Sequence, residues 1–139
     1  MAQLVRDVMT AGVAAVRPDA SLVEAARLMR TLNVGDVLVA DGDRIVGVVT
    51  DRDIAVRAVA DGIDPVTVSA ESVCTADPVC IDPDAEVSTA VRLMRTHAVR
   101  RLPVVEDGRP LGMVSIGDLA VAQDPESALA DISMAEGKA

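Results

Sequence analysis

The chain has 139 residues, half of them hydrophobic, and a formal net charge of -9. That length fits one compact module or two small halves sharing a core. The acidic balance disfavours nucleic acid and anionic membrane surfaces, and without any Phe, Tyr or Trp there is no ring on which to stack a base.

Leu4–Met9 carries apolar residues at 4, 5, 8 and 9 and predicts a short helical lead-in. Val13–Val16 reads as a strand closed by Arg17-Pro18-Asp19. Ser21 with Glu24 three residues later predicts a capping box, and Leu22, Ala25, Ala26, Met29 and Leu32 form the buried stripe of the helix after it. Asn33-Val34-Gly35 ends it. Val37–Ala40 and Ile45–Thr50 are buried strands joined by a hairpin turn at Asp41-Gly42-Asp43-Arg44. Asp51-Arg52-Asp53 then opens a helix through Val59, its acids favoured by the positive end of the helix dipole. Asp61-Gly62 stops that helix, and Ile63-Asp64-Pro65 links to the second half of the chain.

The order then recurs. Ser69 is an N-cap candidate for a helical turn over Ser69–Cys74, without a capping box. Val79–Ile81 reads as a strand, Glu86–Ala98 as a helix with Val87, Ala90, Val91 and Met94 facing in, and Leu102–Glu106 with Leu111–Ser115 as a hairpin turning at Asp107-Gly108. Ile116–Gln123 closes the second half as a helix. Asp124-Pro125-Glu126 predicts one more short helix with proline at its first position, and Met134–Ala139 a frayed tail.

Sliding the chain by 65 residues aligns Val8–Ile54 with Val73–Leu119 without a gap, and roughly 18 of the 47 positions are identical. Ala25–Thr31 against Ala90–Thr96 is the densest stretch. Two copies point to a closed pseudo-two-fold pair rather than a solenoid. The expected fold class is mixed α+β, two βαββα repeats packed sheet to sheet. The expected division is 1–65 for the first repeat, 66–124 for the second and 125–139 for a terminal helix and tail. In each repeat a hydroxyl closes the last strand and a carboxylate stands three residues on: Gly47-Val48-Val49-Thr50-Asp51-Arg52-Asp53 and Gly112-Met113-Val114-Ser115-Ile116-Gly117-Asp118.

Cys74 and Cys80 have no metal-ligand spacing and read as reduced thiols in or near the core, so no metal site is expected. His97, the single histidine, takes the place of Leu32 and reads as a half-buried packing residue, and the methionines read as core. The N-terminal residues lack a hydrophobic signal region and no apolar run approaches the ~20 residues of a membrane span, so a soluble cytoplasmic protein is the expectation.

The duplicated Gly-x-aliphatic-Thr/Ser-x-x-Asp turn resembles the signature of a tandem pair of CBS domains, a Bateman module. Leu102-Pro103-Val104-Val105 and Val8-Met9-Thr10 match further family features, and the compact length is similar to the two-CBS proteins of the actinobacterial hypoxic response type. The resemblance implies an adenosyl ligand (AMP, ADP, ATP or S-adenosylmethionine) held in clefts between the repeats. Asp53 and Asp118 would take ribose hydroxyls, with Thr50 and Ser115 beside them. The segments after Thr10 and Thr75, namely Val13-Ala14 and Pro78-Val79, would offer backbone groups to adenine, and Val34, Val37, Val99 and Leu102 would flank the base. Arg100 and Arg101, ahead of Leu102-Pro103, would hold phosphate, with Arg52 as a third positive group. Gly35-Asp36 stands where the arginines stand in the other copy, and Leu38 replaces Pro103. The expected anion-preferring cleft combines Asp53 with Arg100 or Arg101, and the cleft near Asp36 and Asp118 is expected to tolerate anions less.

A regulatory module without chemistry of its own is the resulting expectation: a homodimer through the CBS helices, signalling by population shift to a separate, unidentified effector protein. The competing expectation is a ligand-independent dimeric scaffold or stress-response interaction protein. In the bland reading, Asp53 and Asp118 are N-terminal helix residues and Arg100-Arg101 solvated charge. No nucleophile–base pair, metal site or Gly-Lys-Ser/Thr phosphate loop is present, so an enzyme is not expected.

Overall fold

The computed structural model describes residues 3–135. Helix α1 (Val5–Val8) leads to strands β1 (Thr10–Ala11) and β2 (Ala15–Val16), helix α2 (Leu22–Leu32), the hairpin β3 (Asp36–Asp41) and β4 (Arg44–Thr50), and a single helical turn α3 (Asp51–Asp53). That turn continues as π-helical backbone over Ile54–Val59, with Ala60 N–H donating to Ala55 O at 3.0 Å. The second half comprises α4 (Ala70–Val73), β5 (Thr75–Ala76), α5 (Val87–His97), the hairpin β6 (Arg101–Glu106) and β7 (Arg109–Ser115), α6 (Ile116–Gln123) and α7 (Ala128–Met134). The class is mixed α+β, with helices and two small sheets.

The chain forms two compact units, Ala14–Pro78 and Met1–Val13 with Val79–Ala139. These units do not coincide with the linear repeats, because each repeat is completed by the segment that precedes the other. Ala70 N–H donates to Ala20 O, Glu71 N–H to Pro18 O and Leu22 N–H to Val68 O in the first unit. The same three bonds recur as Val5 to Ala85, Arg6 to Pro83 and Val87 to Gln3 in the second. A two-residue edge strand then joins antiparallel: β5 on β4 through Thr75 opposite Val48 and Ala76 opposite Gly47, and β1 on β7 through Thr10 opposite Met113 and Ala11 opposite Gly112. Arg6 adds a surface ion pair to Asp84 at 2.7 Å. The glycine at each crossing is required by close approach. A Cβ on Gly47 would lie 2.6 Å from both Cys74 Sγ and Thr75 O, and one on Gly112 would strike Thr10 O.

Each unit has its own core of small aliphatic side chains, as the composition demands. One gathers Leu22, Ala25, Met29, Val37, Val39 and Val49 with Ala58, Ala70 and Val73. The other gathers Val87, Ala90, Met94, Leu102, Val104 and Val114 with Val5, Ile81 and Leu119. In the first unit the sheet order is β2-β3-β4-β5, with β2 parallel to β3, and Leu38 N–H donates to Ala14 O at 2.8 Å. At the equivalent place Pro103 has no N–H to donate. The expected strand Val79–Ile81 therefore shrinks to a single parallel bridge between Ile81 and Val104, and that sheet is β1-β7-β6.

Other expectations are corrected. Strand β2 omits Val13 and Ala14 of the expected Val13–Val16, and Val13 is 46% exposed. Ser21 Oγ accepts from Glu24 N–H at 3.1 Å, but the return half of the box is missing; the backbone beside Ser21 bridges to the segment around Ser69 through Leu22 N–H to Val68 O and Ala70 N–H to Ala20 O. The buried stripe of α2 is narrower than its periodicity predicts, since Ala26 and Leu32 are exposed. His97, at the matching end of α5, is exposed too, so it does not pack. The last helix starts at Ala128 under a Ser127 cap rather than at Pro125. Met29 and Met94 are core, whereas Met134 is 56% exposed. Most of the expected frayed tail, 136–139, lies outside the described residues.

Candidate functional site

Both strand-to-helix turns are built in the same way. In the first, Thr50 Oγ1 accepts from Asp53 N–H at 3.0 Å while Asp53 Oδ2 accepts from Thr50 N–H at 2.9 Å. In the second, Ser115 Oγ accepts from Asp118 N–H at 3.2 Å and Asp118 Oδ2 accepts from Ser115 N–H at 2.9 Å. These are reciprocal capping boxes, which satisfy amide groups that a helix start leaves without intrahelical partners. Asp53 and Asp118 therefore do fill the structural role of acidic residues at a helix start. One oxygen of each is engaged, and Oδ1 remains to act elsewhere. The turns are anchored to the neighbouring strand alike, Asp51 N–H to Gly35 O and Ile116 N–H to Arg100 O, both at 2.9 Å.

The surroundings differ. Asp53 Oδ1 faces the Arg57 guanidinium at 3.6 Å, one helical turn on, and Asp53 is only 13% exposed. Arg57 also donates to Val73 O at 3.1 Å and Cys74 O at 3.3 Å, tying the π-helical segment to the α4–β5 junction. Arg57 is a site residue that the motif does not single out, although its i,i+4 spacing from Asp53 is the available signal. Its counterpart in the second repeat is Ala122, so Asp118 has no such neighbour.

A pocket of about 390 Å³ lies at the second turn, lined by Arg100, Arg101, Ser115, Ile116, Gly117 and Asp118 with Val121 and Ser133. Its size is within the usual range for small-ligand sites. The two arginines thus stand beside Asp118, in their own repeat, and give that side an anion-friendly character. The expected pairing of these arginines with Asp53 would be made between the two units, and within the second unit they share a pocket with Asp118. Thr10 and Val13 belong to the same unit as this pocket, and β1 lies against β7 just ahead of Ser115. Thr75, Pro78 and Ala14 belong with Thr50, Arg52 and Asp53, while Val79 falls in the unit of Asp118. Arg52 is exposed. Val37, Leu102 and Pro103 are buried within their cores, so their side chains do not offer a base-stacking surface; Val34 is 38% exposed and Val99 half-buried.

The thiols depart from expectation in one respect. Cys74 is half-buried against the first core, its Sγ donating to Glu71 O at 3.2 Å, whereas Cys80 is exposed. Burial pushes the Cys74 thiol up, with Glu71 and Asp53 adding to it, and burial pushes Cys80 up as well. Among the described residues no group of three or more His, Cys, Asp or Glu side chains is placed to hold a metal ion, and no helix is long and apolar enough to cross a membrane.

Comparison with known proteins agrees with the duplicated architecture. The CBS domain model matches residues 5–59 and 64–124. The CBS domain-containing protein YhcV of Bacillus subtilis is 41% identical over 133 residues, covering 93% of this chain and 94% of the relative, which leaves no room in that relative for a separate catalytic domain. Hypoxic response protein 1 of Mycobacterium tuberculosis is 36% identical over 116 residues, 83% of this chain and 81% of the relative. A crystal structure of Hypoxic Response Protein I with two coordinated zinc ions superimposes with a TM-score of 0.77 at 35% identity, covering 85% of this chain and 97% of that one. The CBS domain pair of protein MJ0100, in complex with 5'-methylthioadenosine and S-adenosyl-L-methionine, shares the fold with a TM-score of 0.82 at 23% identity, over 91% of this chain and all of that one. The two matched turns, the two units built alike around them and these relatives make this chain a member of the CBS domain family, carrying a tandem pair and related to YhcV and hypoxic response protein 1.

Proposed function

We propose that the protein is a regulatory CBS pair that binds an adenosyl ligand (AMP, ADP, ATP or S-adenosylmethionine) at the Ser115–Asp118 turn and signals to a separate partner protein. The carrying observation is that Arg100, Arg101, Ser115 and Asp118 line one pocket. Asp118 Oδ1 accepts from the ribose hydroxyls while Oδ2 keeps the turn closed, and the two guanidiniums meet a phosphate with charge-assisted hydrogen bonds. The MJ0100 complex supports this reading because a CBS pair of this fold holds adenosyl compounds in it. The ligand acts by binding one arrangement of the protein better than another, so that a population shifts. The protein carries out no chemistry and works in the cytoplasm as a homodimer, for which the exposed Leu32, Val56 and Val59 offer apolar surface.

A second reading applies to the first repeat. With Oδ2 of Asp53 in the capping box and Oδ1 facing Arg57, that turn acts as a scaffold rather than a ribose site. Calorimetric titration of AMP, ATP and S-adenosylmethionine tests both readings. Binding of at least one, at one site per chain and lost in Asp118→Ala, is expected. No heat with any of the three overturns the proposal, and two equivalent sites overturn the scaffold reading of the first turn.

A further inference from the structure

The terminal helix gives the second turn a feature that the first lacks. Helix α7 packs on α6 with Ala130 fully buried. At the point of approach stands Gly117, where a Cβ would lie 2.7 Å from Ser133 Oγ and 3.0 Å from Ser133 Cβ. The first repeat has Arg52 at the position of Gly117, and a side chain of that kind would exclude α7 from this place. Glycine at 117 thus lets a segment outside both repeats reach the pocket, and the residue that reaches it is a serine. Ser133 lines the same pocket as Arg100, Arg101, Ser115 and Asp118. Its neighbours at 132 and 134, Ile132 and Met134, are 71% and 56% exposed.

We propose that Ser133 is a specificity-determining residue of the second-repeat site, its hydroxyl donating to the phosphate of a phosphorylated adenosyl ligand. The inference rests on the proposed adenosyl site and deepens it. A hydroxyl set among two arginines has an anion as its natural acceptor, and a hydrogen bond to a charged group outweighs one to a neutral group. Arginine supplies charge, while the serine adds a fixed, short donor at the α7 side of the pocket. Its contribution falls on the phosphate rather than the nucleoside, so it sets how strongly AMP is preferred over adenosine.

Calorimetry on the full chain with AMP and adenosine as probes tests this. Ser133→Ala is expected to weaken AMP about threefold to tenfold and leave adenosine unchanged, and Ser133→Thr is expected to keep the wild-type preference. Gly117→Leu, which fills the space at which α7 approaches without adding charge, is expected to lower the AMP preference by displacing α7, with the thermal midpoint measured alongside. An unchanged AMP-to-adenosine ratio in Ser133→Ala overturns the inference, and so does an equal loss for both probes, which marks a merely structural role. If AMP binds the wild type and is lost in Asp118→Ala while Ser133→Ala behaves as wild type, only this inference fails. If the wild type binds neither probe, both readings fail for AMP, and Ser133 loses its assigned acceptor.

Discussion

The turns at Thr50–Asp53 and Ser115–Asp118 share their backbone geometry and both halves of their capping boxes, yet their neighbours have diverged. Around the first, Arg57 faces the aspartate, Arg52 occupies the second helical position, and Gly35-Asp36 lies on the adjoining strand side. Around the second, Ala122, Gly117 and Arg100-Arg101 stand at those places, and Ser133 arrives from a helix outside the repeat. Duplication has kept the frame that closes the helix start. Substitutions one shell further out decide whether the spare carboxylate oxygen is spent on an internal ion pair or left facing a basic pocket. A motif match alone therefore marks a capping box, and the proposed function turns on residues four positions after the motif and about a dozen before it.

The largest effects are expected where the two halves are most alike. Gly47→Ala and Gly112→Ala each drive a Cβ into the backbone of the edge strand crossing them, at an expected cost of about 2–4 kcal/mol, read from urea midpoints. Comparable costs in both mark a shared frame, and a benign Gly112→Ala breaks the equivalence. Next comes an exchange between the turns. Ala122→Arg gives Asp118 the partner that Asp53 has and is expected to weaken AMP by tenfold or more, about 1.4 kcal/mol or above. The reverse change, Arg57→Ala, removes the Asp53 pair and two bonds to backbone carbonyls, and a gain in sites per chain is expected with a slightly lower midpoint. Unchanged stoichiometry in Arg57→Ala limits the difference to the arginines on the strand side.

A smaller contrast lies at the helix ends. Asn33 and Ala98 are both left-handed C-caps, with φ of 54° in each, and alanine tolerates that conformation poorly. Ala98→Gly is expected to stabilise by about 0.5–1 kcal/mol, whereas Asn33→Ala destabilises by a similar amount. The smallest effect concerns pH. The folded protein holds the Cys74 and Cys80 protons more tightly than the unfolded chain does. The stability they add is complete below the unfolded value of 9.0 and is lost as pH rises through the higher folded values. A shallow alkaline fall in the urea midpoint is expected, and it should flatten in the Cys74→Ala, Cys80→Ala double variant.

Much of the fold is legible in the sequence because it is local. The hairpins, the amphipathic helices, the capping serines and the duplicated turn all arise from spacing within a few residues. Pairings over long separations leave no such trace. Nothing in the pattern of Leu4–Ala11 says that it completes the second repeat rather than the first, because a two-residue edge strand fits either hairpin. The loss of strand at Val79–Ile81 depends on Pro103, a residue on the partner strand. Leu32 and His97 are exposed although they fall on the apolar period of their helices, since periodicity does not encode where along a helix its packing ends. The linear pattern likewise does not say which turn Arg100 and Arg101 join, since a strand's leading residues can serve either one. Ser133 lies in a segment with no counterpart to compare.

The exchange of leading segments also sets an order of events during synthesis. Thr75 meets Val48 across a short stretch of chain, and everything in Ala14–Pro78 is contiguous. Thr10, by contrast, must wait for Met113, 103 residues later. As the chain leaves the ribosome, the first unit is complete in sequence while the second lacks its sheet, and the earliest residues made are among the last to find their place. The Ser115–Asp118 turn forms within that late unit, so the proposed ligand site closes only when nearly the whole polypeptide has been made.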